Sequence, residues 1–157
     1  MNTTTTAVSS GFTDAEKAAM RARAEELRSS GRGGAKKAEE AQACLAAIAA
    51  IPDGDRALAE RIHAIVGEAA PQLRAKTWYG MPAYADENGK VVCFFKPALK
   101  FGARYATLGF TDAAQLDEGV IWPTEYAVTG MSPVVAATID ALLRKAVTPR
   151  GEVLAVR

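Results

Sequence analysis

The segment VVCFF constrains the fold most, because all five of its residues are apolar. Successive side chains of a β-strand point to opposite faces of the sheet, so Val91 would share a face with Cys93 and Phe95. Val92 and Phe94 would then point to the other face. A strand that is apolar on both faces is covered on both sides. We therefore expect VVCFF to be a central strand with other elements packed on each face.

Further runs that are typical of strands surround VVCFF. The pair Asn88 and Gly89 precedes it and favours a tight antiparallel hairpin, because both residues tolerate positive φ. The other runs are rich in aromatic and β-branched residues and are bounded by turn-forming residues. Together they predict an antiparallel sheet of about five strands. In chain order the runs are KTWYG, PAYA, VVCFF, RYATLGF and VIWP with EYAV.

The N-terminal part is predicted to be a loosely attached arm. Residues 1–11 are rich in Thr and Ser and have no periodicity, which is typical of a disordered tail. Thr13 and Glu16 fit a capping box, so we expect a helix from there to about Ser29. Residues 30–35 are rich in glycine and predict a flexible linker. Because the apolar face of this helix is mostly alanine and buries little area, we expect it either to lie loosely on the domain or to pack on a partner, such as a second copy of the chain.

Three further helices are predicted around the strands. Apolar residues recur at helical spacing in two stretches before Pro71. Ser132 followed by Pro133 is typical of a helix start and predicts a closing amphipathic helix. Helices, a run of strands and a final helix indicate a single α+β domain over residues 12–146, with residues 147–157 as a C-terminal tail.

Composition and charge exclude several classes of partner. Lys and Arg number 19 and Asp and Glu number 18, so a formal charge of +1 provides no overall field that would attract nucleic acid. No segment approaches the roughly eighteen consecutive apolar residues of a membrane span, and the N-terminus lacks the features of a signal peptide. We expect a cytoplasmic protein without a membrane or nucleic-acid partner.

No constellation of catalytic residues is apparent. The single histidine is His63, and no GxSxG motif or phosphate-binding loop accompanies it. Cys44 and Cys93 form no CxxC motif and are interpreted as small buried hydrophobic residues. We therefore expect no enzymatic activity, no catalytic residues, no metal-ligand set and no resident cofactor.

Aromatic residues of the strand segment are the candidate functional residues. In RYATLGF, alternation places Tyr105 on the face opposite Phe110. If Trp78, Tyr84 and Trp122 share the face of Tyr105, they line a concave surface with indole and hydroxyl donors, as in many small-ligand sites. The alternative is that these rings fill the core. The predicted ligand-binding residues are Trp78, Tyr84, Phe94, Tyr105 and Trp122.

Four segments together resemble the YdhG-like family, a bacterial family of domains of unknown function whose members are sometimes called intracellular iron chaperones or frataxin-like proteins. The segments are KTWYGMPAYA, the hairpin into GKVVCFF, RYATLGF and WPTEYAV, and the resemblance runs from about Phe12 to Ala146. It implies a curved antiparallel sheet packed on helices and a non-enzymatic, iron-chaperone-like role. The alternative function is a module that binds a small ligand or a protein through an aromatic pocket, without metal.

Overall fold

The computed structural model describes residues 11–29 and 34–149. The tail predicted for residues 1–11 therefore lies outside the described residues except for Gly11, as do linker residues 30–33 and tail residues 150–157. The helices are α1 (Asp14–Ser29), α2 (Gly34–Ala49), α3 (Asp53–Ala69), α4 (Ala98–Phe101) and α5 (Pro133–Ala146), and the strands are β1 (Arg74–Trp78), β2 (Met81–Ala85), β3 (Val91–Lys96), β4 (Ala106–Phe110) and β5 (Glu125–Val128).

The strands form one open, curved sheet in the order β1-β2-β3-β4-β5, and every neighbouring pair is antiparallel. VVCFF lies in the central strand, β3, and is buried throughout, as predicted. Helices α2, α3 and α5 pack on one face of the sheet and form the main core with it. The predicted α+β class, with N-terminal helices and a C-terminal helix, is confirmed.

Helix α1 begins as its sequence predicts. The Thr13 hydroxyl accepts a hydrogen bond from the backbone N–H of Glu16, and the Glu16 carboxylate accepts one from the N–H of Thr13. This reciprocal pair is the capping box. At the C-terminal side of the chain, the Ser132 hydroxyl accepts a hydrogen bond from the N–H of Val135 and so caps α5.

Two predicted element boundaries are wrong. Gly34 and Ala35 fall in the predicted linker but belong to the first turn of α2. The segment VIWP is not a strand, and β5 contains only EYAV. Val120 and Ile121 are instead largely exposed, so their β-branched side chains do not indicate a buried strand.

A β-bulge changes the predicted faces of β3. Tyr84 pairs with Cys93 and Ala85 pairs with Val91, so Val92 is an additional residue opposite β2. An extra residue reverses the alternation beyond the bulge. As a result Val92 joins Cys93 in the main core, whereas Val91 lies with Phe94 in a smaller cluster on the other face. The prediction that Val91 shares a face with Cys93 is therefore wrong.

Gly109 provides space for the aromatic ring of Phe94. The two residues are partners across β3 and β4. A Cβ atom built on Gly109 would overlap the tip of the Phe94 ring. The ring therefore occupies the position that a side chain on β4 would otherwise fill, and a glycine is required there for close cross-strand packing.

None of the helices that the structure describes is long and apolar enough to cross a bilayer.

Candidate ligand groove

The second face of the sheet carries an open groove of about 380 Å³. One wall is α1, and the rest of the lining comes from β1, β2, β3 and β5, the β1–β2 turn and α4. Most of the lining side chains are aromatic or contain the thioether of methionine. We refer to this feature as the groove, and it is lined by Phe12, Glu16, Ala19, Met20, Trp78, Tyr79, Met81, Phe94, Lys96, Phe101 and Glu125.

Three aromatic rings form a continuous group in the groove. The ring centroids of Trp78 and Phe94 are 5.2 Å apart, and those of Trp78 and Tyr79 are 5.0 Å apart with the rings nearly perpendicular. Both separations lie within the range of favourable aromatic pairs. Lys96 places its Nζ atom 5.4 Å from the centroid of Phe101. The groove thus combines flat apolar surfaces with a few charged groups at its edge.

Tyr79 stands in an unfavourable backbone conformation at one end of the groove. It and Gly80 form the two-residue turn between β1 and β2, with φ angles of 55° and 78°. Turns of this kind favour Asn-Gly, because the first residue must also adopt positive φ. A tyrosine in this region costs about 1 kcal/mol or more. Such local strain is common at functional sites, and here it directs an aromatic ring to the groove.

The carboxylate of Glu26 binds both N–H groups of this turn. Its Oε1 accepts a hydrogen bond of 2.9 Å from Tyr79, and its Oε2 accepts one of 3.0 Å from Gly80. Glu26 belongs to α1, so this contact joins the helix to the sheet. The Glu26 side chain is only 13% exposed and lies 3.6 Å from the guanidinium of Arg23.

Lys100 lies on the other side of the same turn. Its Nζ atom donates a hydrogen bond of 3.0 Å to the carbonyl oxygen of Gly80. Burial lowers the pKa of the Lys100 ammonium, and the charge of Glu26 partly counteracts this by raising the pKa. Arg23 in turn places its guanidinium carbon 5.7 Å from the centroid of the Tyr79 ring. Two cations and one carboxylate therefore surround the β1–β2 turn.

The structure brings together only two of the five predicted ligand-binding residues. Trp78 and Phe94 both line the groove. Tyr84 is 2% exposed and points into the main core, because it pairs with Cys93 on the helix-covered face. Trp122 packs against that same core from a loop, and Tyr105 is 37% exposed. The prediction that these rings converge on one face is therefore wrong.

Nine of the eleven residues that line the groove are not among the predicted ligand-binding residues. Tyr79 falls within the predicted strand KTWYG, and Phe101 lies on a four-residue helix that no periodicity could reveal. Phe12 precedes α1 and Met20 belongs to it, and the position of this helix on the sheet depends on tertiary contacts. One sequence signal could have identified Tyr79 as a groove residue: it is a tyrosine at a turn position that is normally asparagine.

Tyr84 is the centre of a buried polar contact in the main core. Its hydroxyl lies 2.9 Å from Nδ1 of His63. Burial raises the pKa of Tyr84 beyond its ordinary range, with Cys44 and Cys93 adding to the effect.

Burial also raises the pKa of Cys44 to about 11 and that of Cys93 to about 12. Both thiols are therefore neutral at physiological pH, and the prediction that both cysteines are buried is confirmed.

His63 is expected to make the protein less stable in mild acid. Burial lowers its pKa below the ordinary value of 6.5. The unfolded chain therefore takes up the proton first as the pH falls. The protein begins to lose stability at about pH 6.5, and this loss reaches its full extent below the folded-state pKa of His63. Urea unfolding between pH 8 and pH 5 measures this slope. In His63→Gln the contribution should be missing, and an unchanged slope in that variant would contradict the assignment.

Metal ligands do not gather in the described structure. Within residues 11–29 and 34–149, no group of three or more His, Cys, Asp or Glu side chains is placed to hold a metal ion. The iron implied by the family resemblance therefore stays a prediction.

No family model, curated protein or solved structure matches the chain. The resemblance to the YdhG-like family likewise stays a prediction.

Proposed function

We propose that this protein binds a small, flat and largely apolar molecule in the groove, without a metal and without catalysing its conversion. The observation that carries the proposal is the groove itself, where Trp78, Phe94 and Phe101 surround an open volume on the sheet face away from the main core. Trp78 and Phe101 are only partly buried, so part of this apolar surface faces solvent.

The dimensions and chemistry of the groove support this function. A volume of about 380 Å³ lies within the range of small-molecule sites, which are mostly apolar with a few polar groups that fix orientation. Lys96 and Glu16 supply polar groups at the edge. The strain at Tyr79 adds to the argument, because a less strained residue would serve the turn equally well but would place no ring there.

Phe101→Ala is expected to weaken binding of a neutral aromatic probe at least tenfold, which corresponds to about 1.4 kcal/mol. The reason is that the ring forms part of the groove and its removal exposes the bound probe to water. The probe is 2-naphthamide, and the measurement is isothermal titration calorimetry.

Leu99→Ala is the matched control for Phe101→Ala. Leu99 lies on the same short helix, α4, but is 71% exposed and does not line the groove. Its variant should bind 2-naphthamide as the native protein does. Equal weakening in both variants, or no binding of the probe to the native protein, would contradict the proposed function.

The iron-chaperone-like role implied by the resemblance stays a separate prediction. The groove proposal does not depend on it, because the lining side chains provide flat apolar contacts rather than a set of metal ligands.

A further inference from the structure

The β1–β2 turn presents a receptor for a carboxylate. The backbone N–H groups of Tyr79 and Gly80 point to the two oxygens of one carboxylate, at 2.9 and 3.0 Å. Consecutive backbone N–H groups in a turn with positive φ form a concave anion-binding feature. The receptor is occupied by a side chain of the same chain, Glu26.

Two cations lie beside the Glu26 carboxylate at this turn. Arg23 lies 3.6 Å from Glu26, and Lys100 donates to the carbonyl oxygen of Gly80. With Glu26 moved away, two cations and two N–H donors would remain without their carboxylate. Charge-assisted hydrogen bonds to such an arrangement are about twice as strong as neutral ones.

The charged side chains that line the groove come from different elements, because Lys96 lies on β3 and the two carboxylates belong to α1 and β5. Glu16 precedes Glu26 on α1 by ten residues, which corresponds to about 15 Å along the helix axis. Glu125 lies on β5, at the opposite edge of the sheet from β1. Both carboxylates line the groove away from the cationic turn. An elongated ligand with one negative end would therefore place that end at the turn.

Helix α1 is held to the sheet by few apolar contacts. Ala19 is its only fully buried residue among those described, and Leu27 is exposed. The hydrogen bonds of Glu26 are therefore a large part of what fixes the helix to the turn. A contact of this kind can be exchanged for an equivalent one from a ligand, provided that the ligand overcomes the high effective concentration of the tethered side chain.

We propose that the groove binds an aromatic carboxylic acid and that its carboxylate replaces Glu26 at the N–H groups of Tyr79 and Gly80. This inference rests on the proposed function, since the aromatic part of the ligand lies in the groove. Glu26 is then an internal competitor that lowers the affinity of the protein for a ligand carboxylate, because the ligand must first displace the Glu26 side chain. Tyr79 belongs both to the turn and to the groove.

Glu26→Gln tests the inference with two probes of the same shape, 2-naphthoate and 2-naphthamide. The variant keeps the size of the side chain but removes the competing charge. The affinity for 2-naphthoate is expected to rise about tenfold, and the affinity for 2-naphthamide is expected to stay within about twofold. Isothermal titration calorimetry measures both, and circular dichroism checks that the helix content is retained.

Glu25→Gln is the matched control, because it removes the same charge from the neighbouring position of α1. Glu25 is 66% exposed and pairs with Arg28, whereas both carboxylate hydrogen bonds to the turn come from Glu26. Its variant should bind both probes as the native protein does. An equal rise in naphthoate affinity for Glu25→Gln would show that only the net charge matters, and it would overturn the inference.

The remaining outcomes separate this inference from the proposed function. If Glu26→Gln leaves the affinity for both probes unchanged, the groove still binds small molecules but the carboxylate site is wrong. If the variant loses affinity for both probes, Glu26 acts only as a structural tie of α1, and the inference is again overturned. If the native protein binds neither probe, the proposed function itself fails.

Discussion

Gly109→Ala is expected to destabilise the protein by about 2–3 kcal/mol. The added Cβ would overlap the Phe94 ring, which must then leave its position on the sheet. Rotation of this ring would also change the floor of the groove, so weaker binding of 2-naphthamide is expected in the fraction that folds. Urea unfolding, followed by circular dichroism, measures the loss of stability.

A double-mutant cycle isolates the contact between Gly109 and Phe94. Phe94→Ala alone should cost about 3–5 kcal/mol, and adding Gly109→Ala to that variant should have little further effect. Gly67→Ala is the control, because a Cβ there meets no atom within 4 Å and Gly67 lies in α3. It should stabilise the protein by up to about 1 kcal/mol. Additive losses for Gly109 and Phe94 would refute the proposed overlap.

Tyr84→Ala is expected to reduce the free energy of unfolding by about 3–5 kcal/mol, as for other large aromatic residues of a core. Tyr84 is among the largest fully buried side chains, and its hydroxyl contacts His63. Truncation leaves a cavity beneath the helices and removes this contact. Denaturant unfolding measures the effect.

Tyr105→Ala is the matched control for Tyr84→Ala. Because Tyr105 is partly exposed and lies outside both hydrophobic clusters, its loss should change stability by less than about 0.5 kcal/mol. The two tyrosines were predicted to share one ligand pocket. Near-native stability of Tyr84→Ala together with weakened ligand binding would restore that prediction and contradict the core assignment.

The main core was largely predictable from periodicity. Helices α2, α3 and α5 each have one apolar face, and all five residues of VVCFF are apolar. These patterns predict a sheet covered by helices, and the structure has that arrangement. The face of Val91 was predicted wrongly because a bulge depends on how two strands pair. The sequence of β3 alone does not show how it pairs with β2.

The candidate site was predictable only in part. Trp78 and Phe94 were identified because aromatic residues on strands are visible in sequence. Phe12 and Met20 could not be placed beside them, because the contact joins a helix to strands more than fifty residues away and depends on Glu26 reaching the β1–β2 turn.

By itself the sequence determined the fold class, the central strand, both capped helix starts and the burial of the cysteines, because these follow from local periodicity and side-chain chemistry. Tertiary structure alone decided which aromatic rings share a face and where α1 lies. Those arrangements depend on strand register and on a few long-range hydrogen bonds, which residue spacing along one chain does not encode.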